Sequence, residues 1–427
     1  MTAGQPDKPR DEPAAARSPA PVRVLLVADE QSPTTWGWVD AIRSAGVLVF
    51  GADGLPWPSQ PDTGVGGEDA SRSTRQRLRS LAGATPGGLR VIAKYRRVAG
   101  PWLAPIKGRR LRRVVNRVRP DVVHGLRIPY EAMAAVAACP GAVPLAVSIW
   151  GNDLTHEALK SGRSSRATRG VLARTDLLFA DCRRDIDLAR TWGLPPTAAT
   201  AIVPGGGGID LARMAEGART MTPRLGRLLG PECRLIVNPR GARPYVRNDV
   251  LLEALSLMAA GLDPRVRVVF VDAAHDATLR HAIQRHRLRN NIVVLGKCAP
   301  GEVLSLFGRA EVSVSITDQD GTPNSLLEAM AAGAIPVCSD LPSIREWIEP
   351  GRNGFLATFN DPQAVADALR LALGRSDAER CAIRSENARM IAARAERRSS
   401  GELAAQMYRE LITRRESPAP AVLGQIS

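Results

Sequence analysis

The chain has 427 residues, 44% of them hydrophobic, and a formal net charge of +15. That length predicts two or three domains with sizeable cores. No apolar run reaches the roughly 18 residues that cross a bilayer, and we expect no signal peptide because the first residues lack an apolar centre. The six cysteines form no C-x-x-C pair, which argues against zinc sites and disulfides. We therefore expect a cytoplasmic protein, at most peripheral at the inner face of the membrane.

Short apolar runs alternate with helical patterns along most of the chain. Residues 1–20 and 414–427 are rich in Pro, Ala and charge, which predicts disordered tails. The first half contains apolar runs at 22–28, 47–50, 121–124, 144–150, 176–180 and 200–204. These runs are apolar throughout instead of alternating, which is typical of parallel strands buried on both faces.

A glycine-rich stretch, PGGGGID at 204–210, precedes a second series of apolar runs. The second series lies at 234–238, 266–272, 291–296, 312–316 and 335–340. Two such series predict an α/β protein of two Rossmann-like, doubly wound domains, at 21–215 and 216–385, that face each other across a cleft. We expect the helix at 386–413 to pack on the second domain and to cross back to the first.

A basic segment, KYRRVAGPWLAPIKGRRLRRVVNRVR at 94–119, carries ten Lys and Arg before the next acid. Leu111, Val114, Val115 and Val118 have the spacing of one buried helical face. The basic side chains then form either a solvated face or a patch for anionic lipid. Nucleic acid is the weaker alternative, since aromatic residues make up only 4% of the chain and no nucleic-acid motif occurs.

The most informative stretch is TDQDGTPNSLLEAMAAGAIPVCSD at 317–340, a loop between a predicted strand and a predicted helix. Free amides and the positive end of a helix dipole at such a place suit an anionic ligand. Asp320 and Glu328 can face the same cleft. Two alternatives stay open: Ser325 and Glu328 match a helix capping box, and Asp318-x-Asp320 matches a divalent-metal motif.

The longer segment DGTPNSLLEAMAAGAIPVCSDLPSIREWIEPGRNGFLA resembles the carboxyl-domain signature of glycosyltransferase family 4. Members of that family are retaining enzymes with the two-domain GT-B fold. The shared pattern comprises two acidic residues eight apart, a helix of small residues, Gly and Pro before a strand, and E-x-I followed by G-x-N-G-x-L. In this chain the matching positions are Asp320, Glu328, Gly333, Pro336, Glu346 and 351–354. Weaker matches cover most of residues 22–375.

The resemblance implies roles for these residues toward a nucleotide diphosphate sugar. Glu328 would hydrogen-bond the ribose hydroxyls, because an ionised carboxylate is a good acceptor for a diol. Asp320, where the family usually has Glu, would contact the transferred sugar as a catalytic residue. The loop amides would bind sugar hydroxyls and phosphate. The residues assigned to this group are Gly321, Thr322, Asn324, Ser325 and Leu326.

The family works without a metal, so fixed cations must stabilise the leaving diphosphate. The resemblance places an Arg and a Lys in the first loop of the second domain, which here reads NPRGARPYVRNDVLLEA. Arg240 matches the Arg, Arg247 stands near the Lys position, and Arg243 competes with it. We therefore expect no cofactor and no metal.

In the first domain the resemblance selects Gly37, His124 and Trp150 as acceptor-side candidates and Asp153 as a second catalytic candidate. Trp150 stands where many family members have His. Each residue has a structural alternative: Gly37 as a turn, His124 and Trp150 as packed core, and Asp153 as a helix cap. The glycine run at 205–208 is either a hinge or a close approach to ligand.

Together these features predict a retaining glycosyltransferase that moves a sugar from a nucleotide diphosphate sugar to the hydroxyl of a glycan, a lipid-linked or a small-molecule acceptor. Biosynthesis of a surface polysaccharide would fit. One alternative keeps the fold and makes the protein a sugar-nucleotide epimerase or hydrolase. Another makes it a non-catalytic basic protein that binds RNA or an anionic membrane, which predicts binding that weakens steeply with salt.

Overall fold

The computed structural model describes residues 20–30, 32–58, 104, 106–139, 141, 143–285, 288 and 290–416. Residues 1–19 and 417–427 of the predicted tails, and the part of the basic segment before residue 104, lie outside the described residues. Residues 414–416, which the sequence assigns to a tail, instead belong to the last helix. Within the described part, no helix is long and apolar enough to cross a membrane.

Six parallel strands form the sheet of the first domain. They are β1 (Arg23–Val27), β2 (Leu48–Phe50), β3 (Val122–Leu126), β4 (Leu145–Ile149), β5 (Leu177–Ala180) and β6 (Ala199–Ile202). Their spatial order is β2-β1-β3-β4-β5-β6. The strand order changes direction between β1 and β3, so the segments that follow these two strands cross to opposite faces of the sheet. A crevice opens between them at the carboxyl ends of the strands.

A second sheet of six parallel strands follows. Its strands are β7 (Arg234–Asn238), β8 (Val266–Phe270), β9 (Ile292–Val294), β10 (Ala310–Ser315), β11 (Ile335–Ser339) and β12 (Phe355–Ala357). The order is β12-β11-β10-β7-β8-β9, so the second switch point lies between β7 and β10. The prediction of two doubly wound domains is confirmed. The short strand β12 was not predicted, because three residues give too little pattern to read.

Helices cover both faces of the two sheets. In the first domain they are α1 (Pro33–Ser44), α2 (106–118), α3 (Met133–Ala138), α4 (Gly162–Arg174) and α5 (Arg183–Thr191). The later helices are α6 (Leu211–Arg219), α7 (Pro223–Leu229), α8 (Asn248–Met258), α9 (Ala277–Arg285), α10 (Pro300–Arg309), α11 (Asn324–Ala332), α12 (Pro362–Leu373), α13 (Asp377–Arg394) and α14 (Arg397–Glu416). Short irregular turns occur at Ile128–Ala132, Asp153–Glu157, Ala158–Lys160, Pro204–Gly206 and Ala259–Gly261.

Helix α2 has the buried face that its spacing predicts. Leu111, Val115 and Val118 are each 5–6% exposed, and Val114 is half-buried. The Arg side chains of this helix therefore occupy the outer face, as the periodicity requires. Contact of this face with a membrane stays a prediction.

The last helix, α14, belongs in space to the first domain. It packs along α1, and Ala404, Ala405 and Tyr408 join the core formed by β1, β3 and β5. Tyr408 is fully buried and lies in hydrogen-bond contact with His124 of β3. The chain thus enters the second domain near residue 209 and returns at residue 397. The boundaries proposed from the sequence, 215 and 385, stay a prediction.

Candidate active site in the interdomain cleft

Two loops of the second domain meet at its switch point, one after β7 and one after β10. Arg240 follows β7 and forms an ion pair with Asp320, which follows β10. Both residues are less than 9% exposed. Burial raises the pKa of Asp320, although the positive charge of Arg240 works against the rise. Because their opposite charges neutralise each other, Arg240 and Asp320 behave as one buried pair. A ligand that binds here must fit around this pair or displace one of its members.

Glu328 lies on α11 and is not a helix cap. The helix begins at Asn324, with Pro323 before it, and no side chain caps that end. The capping-box alternative is therefore wrong, since Ser325 stands inside the helix. Glu328 is half-buried, and burial raises the pKa of its carboxyl to about 7 against the opposing charges of Arg213 and Arg397. A carboxyl held in this way is suited to accept bonds from a ligand's hydroxyls.

The amides of the loop after β10 are bonded within the protein. The Gly321 amide donates to Oδ1 of Asp320 over 3.1 Å. The Thr322 amide donates to Oδ2 of Asp181 over 3.2 Å, and its hydroxyl donates to the Asp181 carbonyl over 2.7 Å. The prediction that these two amides face a ligand does not hold in this arrangement, because Asp320 and Asp181 occupy them.

The remaining residues of the predicted donor-binding group differ in their exposure to solvent. Asn324 and Ser325 are half-buried, and the Ser325 hydroxyl lies 3.4 Å from a guanidinium nitrogen of Arg240. Leu326 is buried, and its amide donates to the Pro323 carbonyl over 3.0 Å. Asn324 and Ser325 are thus the members whose polar atoms stand nearest to an incoming ligand.

Arg247, one of the arginines predicted to bind a diphosphate, instead pairs with a nearby acid of its own segment. It forms a two-pronged ion pair with Asp249, with nitrogen–oxygen distances of 2.7–3.2 Å. Arg243 is exposed, and its positive charge, like that of Arg240, opposes the rise in the pKa of Asp320. Of the two competing arginines, Arg243 is therefore the one whose charge acts on Asp320.

The first domain adds residues to this site that the sequence did not single out. Arg184, at the start of α5, donates a 2.7 Å bond to the Asp320 carbonyl. Glu346 of the second domain accepts bonds from the amides of Arg183 and Arg184, at 2.9 and 3.0 Å. A carboxylate at a helix start is stabilised by the free amides there. Glu346 thereby joins the second domain to the first.

Two glycines bring the domains into close contact. Gly151 follows β4, and a Cβ atom on it would overlap the backbone of Gly321. The same overlap arises for a Cβ on Gly321. Only glycine lets the two strand-end loops touch. The cleft therefore brings the loop after β4 directly against the loop that carries Asp320.

A buried acidic group lies beside this contact. Asp181, Cys182 and Asp185 place ligand atoms within 4.8 Å of one another, and this is the group of the described residues able to hold a metal ion. The Arg184 guanidinium lies 2.9 Å from Asp185 and disfavours a second cation. Burial, with the charge of Asp185, raises the pKa of Asp181 well above its usual range. The pair is better satisfied by a shared proton than by a metal. Asp318, in contrast, is exposed and apart from this group.

Asp153 is a positioning residue, and its prediction as catalytic is wrong. Its carboxylate is fully buried and accepts bonds from Arg127 at 2.6 and 3.1 Å. It also accepts from the Trp150 amide at 3.2 Å and the Ile128 amide at 3.4 Å. These donors leave no oxygen for an acceptor hydroxyl. The helix-cap alternative also fails, since the bonds run to β3 and β4 loops.

Trp150 and Arg127 border a cavity at the carboxyl ends of β1, β3 and β4. The cavity has a volume of about 230 Å³. Arg127 lies over the Trp150 ring, 5.4 Å from its centroid. Arg127 and Tyr130 have φ angles of 84° and 88°, which side-chain-bearing residues rarely adopt. Trp150 and Arg127 therefore border the same cavity, although no signal in the sequence pointed to Arg127. The acceptor-side role of Trp150 stays a prediction.

His124 does not face the cleft as predicted, whereas the acceptor-side role of Gly37 stays a prediction. His124 is fully buried, with one ring nitrogen 2.6 Å from the Tyr408 hydroxyl and the other 2.9 Å from the Ser148 hydroxyl. Burial lowers the pKa of His124 to about 3, so the ring is neutral. Its acceptor-side prediction is wrong because the core uses both nitrogens. Gly37 packs against Gly206 and Gly207, and its lack of a side chain leaves the space that these glycines occupy.

Two family models match the chain. The model described as glycosyl transferases group 1 matches residues 232–390, and the model described as glycosyl transferase 4-like domain matches residues 11–206. The matches fall on the second and the first domain respectively. Arg240, Asp320 and Glu328 lie inside the range 232–390, and Trp150 and Asp153 lie inside the range 11–206.

Two curated relatives align over a shorter region. One is a GDP-mannose:cellobiosyl-diphosphopolyprenol alpha-mannosyltransferase from Xanthomonas campestris, 28% identical over 128 residues, 29% of this chain and 34% of the relative. The other is a putative colanic acid biosynthesis glycosyltransferase of Salmonella typhimurium, 37% identical over 128 residues, 28% of this chain and 31% of the relative. The aligned part spans about a third of each relative.

Among solved structures, the fold is similar to that of the Anabaena protein HepE in complex with UDP. The TM-score is 0.66 at 16% identity, over 91% of this chain and 100% of the other. The same Anabaena protein is known in complexes with UDP and glucose and with UDP-glucose. At this identity the likeness concerns the fold, and it covers both domains.

Proposed function

Because this chain belongs to the GT-B glycosyltransferases of the family 4 kind, we propose that it transfers a sugar from a nucleotide diphosphate sugar to an acceptor hydroxyl with retention of configuration. The observation that carries the proposal is the buried Arg240–Asp320 ion pair at the switch point of the second domain, directly before the helix that bears Glu328. The carboxyl ends of β7 and β10 are where such sheets bind nucleotides.

Glu328 is the proposed ribose ligand. Its carboxylate takes no part in capping the helix and is partly accessible. The positive charges of Arg213 and Arg397 act on it and oppose the rise in its pKa. Asn324 and Ser325 at the start of α11 add polar atoms beside it, where the helix dipole favours phosphate. The donor's nucleotide end would thus lie along the start of α11.

The diphosphate would be met by Arg240 and Arg243. Arg240 is already desolvated, so a phosphate oxygen that competes with Asp320 for this guanidinium does not have to desolvate the cation again. Negative charge that develops on the leaving diphosphate is then stabilised by fixed cations, and no metal is required. Asp320, once released, lies beside the transferred sugar and orients it.

The acceptor would enter from the first domain. The cavity at the ends of β1, β3 and β4 lies next to Gly151, which touches Gly321. Transfer on the face from which the leaving group departs lets the diphosphate take the acceptor's proton. The protein then acts mainly by positioning the two substrates.

Calorimetric titration with UDP, GDP, ADP and TDP, in the presence of EDTA, tests the donor site. We expect one nucleotide to bind, and Glu328→Gln to weaken it by about 1.5–3 kcal/mol, the value of a hydrogen bond to a charged group. The control is Glu253→Gln on the exposed face of α8. If no nucleotide binds to wild type, the proposal is wrong.

The stereochemistry needs a separate test. We expect the product formed from the matching nucleotide sugar to keep the anomeric configuration of the donor, as read by proton NMR coupling constants during turnover. Inversion would refute the retaining mechanism. Donor consumption at the same rate with and without acceptor would favour a hydrolase or epimerase.

A further inference from the structure

The loop that carries Asp320 is bonded to the first domain through Thr322. The Thr322 amide donates to Oδ2 of Asp181 over 3.2 Å, and the Thr322 hydroxyl donates to the Asp181 carbonyl over 2.7 Å. Asp181 directly follows β5, at the carboxyl end of a strand of the first sheet. One first-domain residue therefore bonds both the amide and the hydroxyl of a residue that lies two positions after Asp320.

This contact is buried and closely packed. Asp181 is 5% exposed and Thr322 is 4% exposed. A Cβ atom on Gly321, the residue between Asp320 and Thr322, would lie 2.8 Å from Oδ2 of Asp181. Because packed interiors transmit small displacements, a shift of the Asp181 carboxyl would shift the loop with it.

The second domain holds the other side of the same loop. The indole nitrogen of Trp347 donates to the Thr322 hydroxyl over 3.0 Å. The Ser343 hydroxyl donates to the Asp320 carbonyl over 2.8 Å. A hydroxyl has one hydrogen to donate, and that of Thr322 is directed to Asp181. The hydroxyl of Thr322 is thus shared between the domains, whereas its amide bonds to the first domain.

The charges around Asp181 explain how a second acid can be buried so near Asp320. Asp181 and Asp185 have oxygen atoms within 4.8 Å of each other, and the Arg184 guanidinium lies 2.9 Å from Asp185. Burial and the charge of Asp185 raise the pKa of Asp181 well above its usual range, and Asp320 adds to the rise. A protonated Asp181 can accept from the Thr322 amide with one oxygen and donate toward Asp185 with the other.

The residues proposed to bind the nucleotide differ from Asp320 in their dependence on the first domain. Arg240 and Glu328 both belong to the second domain, at the carboxyl end of β7 and on α11. Asp320, in contrast, has its carbonyl bonded by Arg184 of the first domain over 2.7 Å and its loop bonded by Asp181. The donor's nucleotide can therefore bind to one domain, while the orientation of Asp320 needs both.

Resting on the proposed function, we propose that Asp181 is a positioning residue for sugar transfer, whose carboxyl, through Thr322, fixes the Asp320 loop when the two domains are in contact. Asp320 then has its productive orientation toward the transferred sugar only in the closed cleft. Donor binding and alignment for transfer are separate steps, and Asp181 contributes to the second.

The first test separates affinity from turnover. The variants are Asp181→Ala and Asp181→Asn, with Asp187→Asn, an exposed acid of the same helix α5, as the control. The probes are the glucose and mannose conjugates of UDP, GDP, ADP and TDP as donors, and the methyl glycosides of glucose, mannose and galactose as acceptors.

We expect Asp181→Ala to lower kcat about 100-fold, the cost of a misplacement near 1 Å, with nucleotide affinity by calorimetry unchanged. Asp181→Asn should keep most of the wild-type kcat, because the amide has an oxygen for Thr322 and a donor for Asp185. Asp187→Asn should match wild type in both quantities. Circular dichroism checks that each variant is folded.

The second test follows the loop itself and does not depend on turnover. Hydrogen–deuterium exchange of the segment 317–326 is measured by mass spectrometry in the whole chain. We expect exchange about tenfold faster in Asp181→Ala, because the Thr322 amide loses its buried acceptor. Asp181→Asn and Asp187→Asn should exchange as wild type does.

The positioning role is overturned if Asp181→Ala keeps the wild-type kcat, if its nucleotide affinity falls as far as its kcat, or if exchange of the loop is unchanged. It is also overturned if Asp181→Asn is as slow as Asp181→Ala, since the hydrogen bonds would then not be what matters. If wild type binds no nucleotide and consumes no donor, it is the proposed function that fails, while the exchange measurement still decides whether Asp181 holds the loop.

Discussion

Replacing Glu328 by Gln is expected to stabilise the protein above neutral pH. Burial raises the pKa of this carboxyl to about 7, from an ordinary value of 4.5. Between these two values the folded protein holds a proton that the unfolded chain has released. Glu328 therefore contributes stability that is lost as the pH rises to 7, and Gln, a near-isostere of the protonated acid, does not.

The size of the effect follows from the two pKa values. Their difference corresponds to about 3 kcal/mol at most, since one pKa unit is worth about 1.4 kcal/mol. Because Glu328 is only half-buried, water screens part of this. We expect Glu328→Gln to exceed wild type in unfolding free energy by about 2 kcal/mol at pH 8, and by less than about 1 kcal/mol at pH 5.

Urea unfolding at pH 5 and pH 8, followed by tryptophan fluorescence, measures the difference, with the transition of the second domain analysed separately. Glu253→Gln should follow wild type at both pH values. The reasoning is refuted if the Glu328→Gln difference is the same at pH 5 and pH 8, or if the variant is the less stable at pH 8.

The same ionisation should govern the ligand. A ribose diol donates its hydroxyls, so the carboxylate form of Glu328 is the binding form. Nucleotide affinity of wild type is expected to rise as the pH passes 7, and that of Glu328→Gln to change little. A wild-type affinity that falls over this range would separate Glu328 from the nucleotide.

Three other substitutions test contacts between distant segments of the chain. Tyr408→Phe leaves a ring nitrogen of His124 without its partner and should cost about 1–3 kcal/mol of stability, seen as a lower thermal midpoint; an unchanged midpoint would mean that α14 is held by packing alone. Gly151→Ala puts a methyl group into Gly321 and should lower turnover about 100-fold, the cost of a misplacement near 1 Å, with nucleotide affinity kept; normal turnover would show that the two loops separate freely. Glu346→Gln weakens the bonds to α5 and should enlarge the radius of gyration in small-angle scattering, and an unchanged radius would assign the domain contact to the glycines.

Local pattern was enough to determine the architecture. Buried parallel strands are apolar throughout, so eleven of the runs could be read directly, and the two series imply two sheets. The loop after β10 could be read as a ligand site for the same reason. Its strand, its turn and its helix lie within two dozen residues, and the positions of Asp320 and Glu328 follow from chain direction alone.

The partners of the site residues could not be read in this way, because they come from distant parts of the chain. His124 is buried by Tyr408, 284 residues later, and Asp320 meets Arg184 from the other domain. From the sequence, Asp153 is predicted to be catalytic. In the structure, Arg127 lies in a strained loop after β3 and donates hydrogen bonds to the Asp153 carboxylate. A carboxylate's role depends on which donors reach it, and that is set by packing between segments with no common sequence pattern. The sequence by itself determined the fold and the order of strand, loop and helix around Asp320 and Glu328; only the tertiary structure decided which of the polar side chains remain available to a ligand.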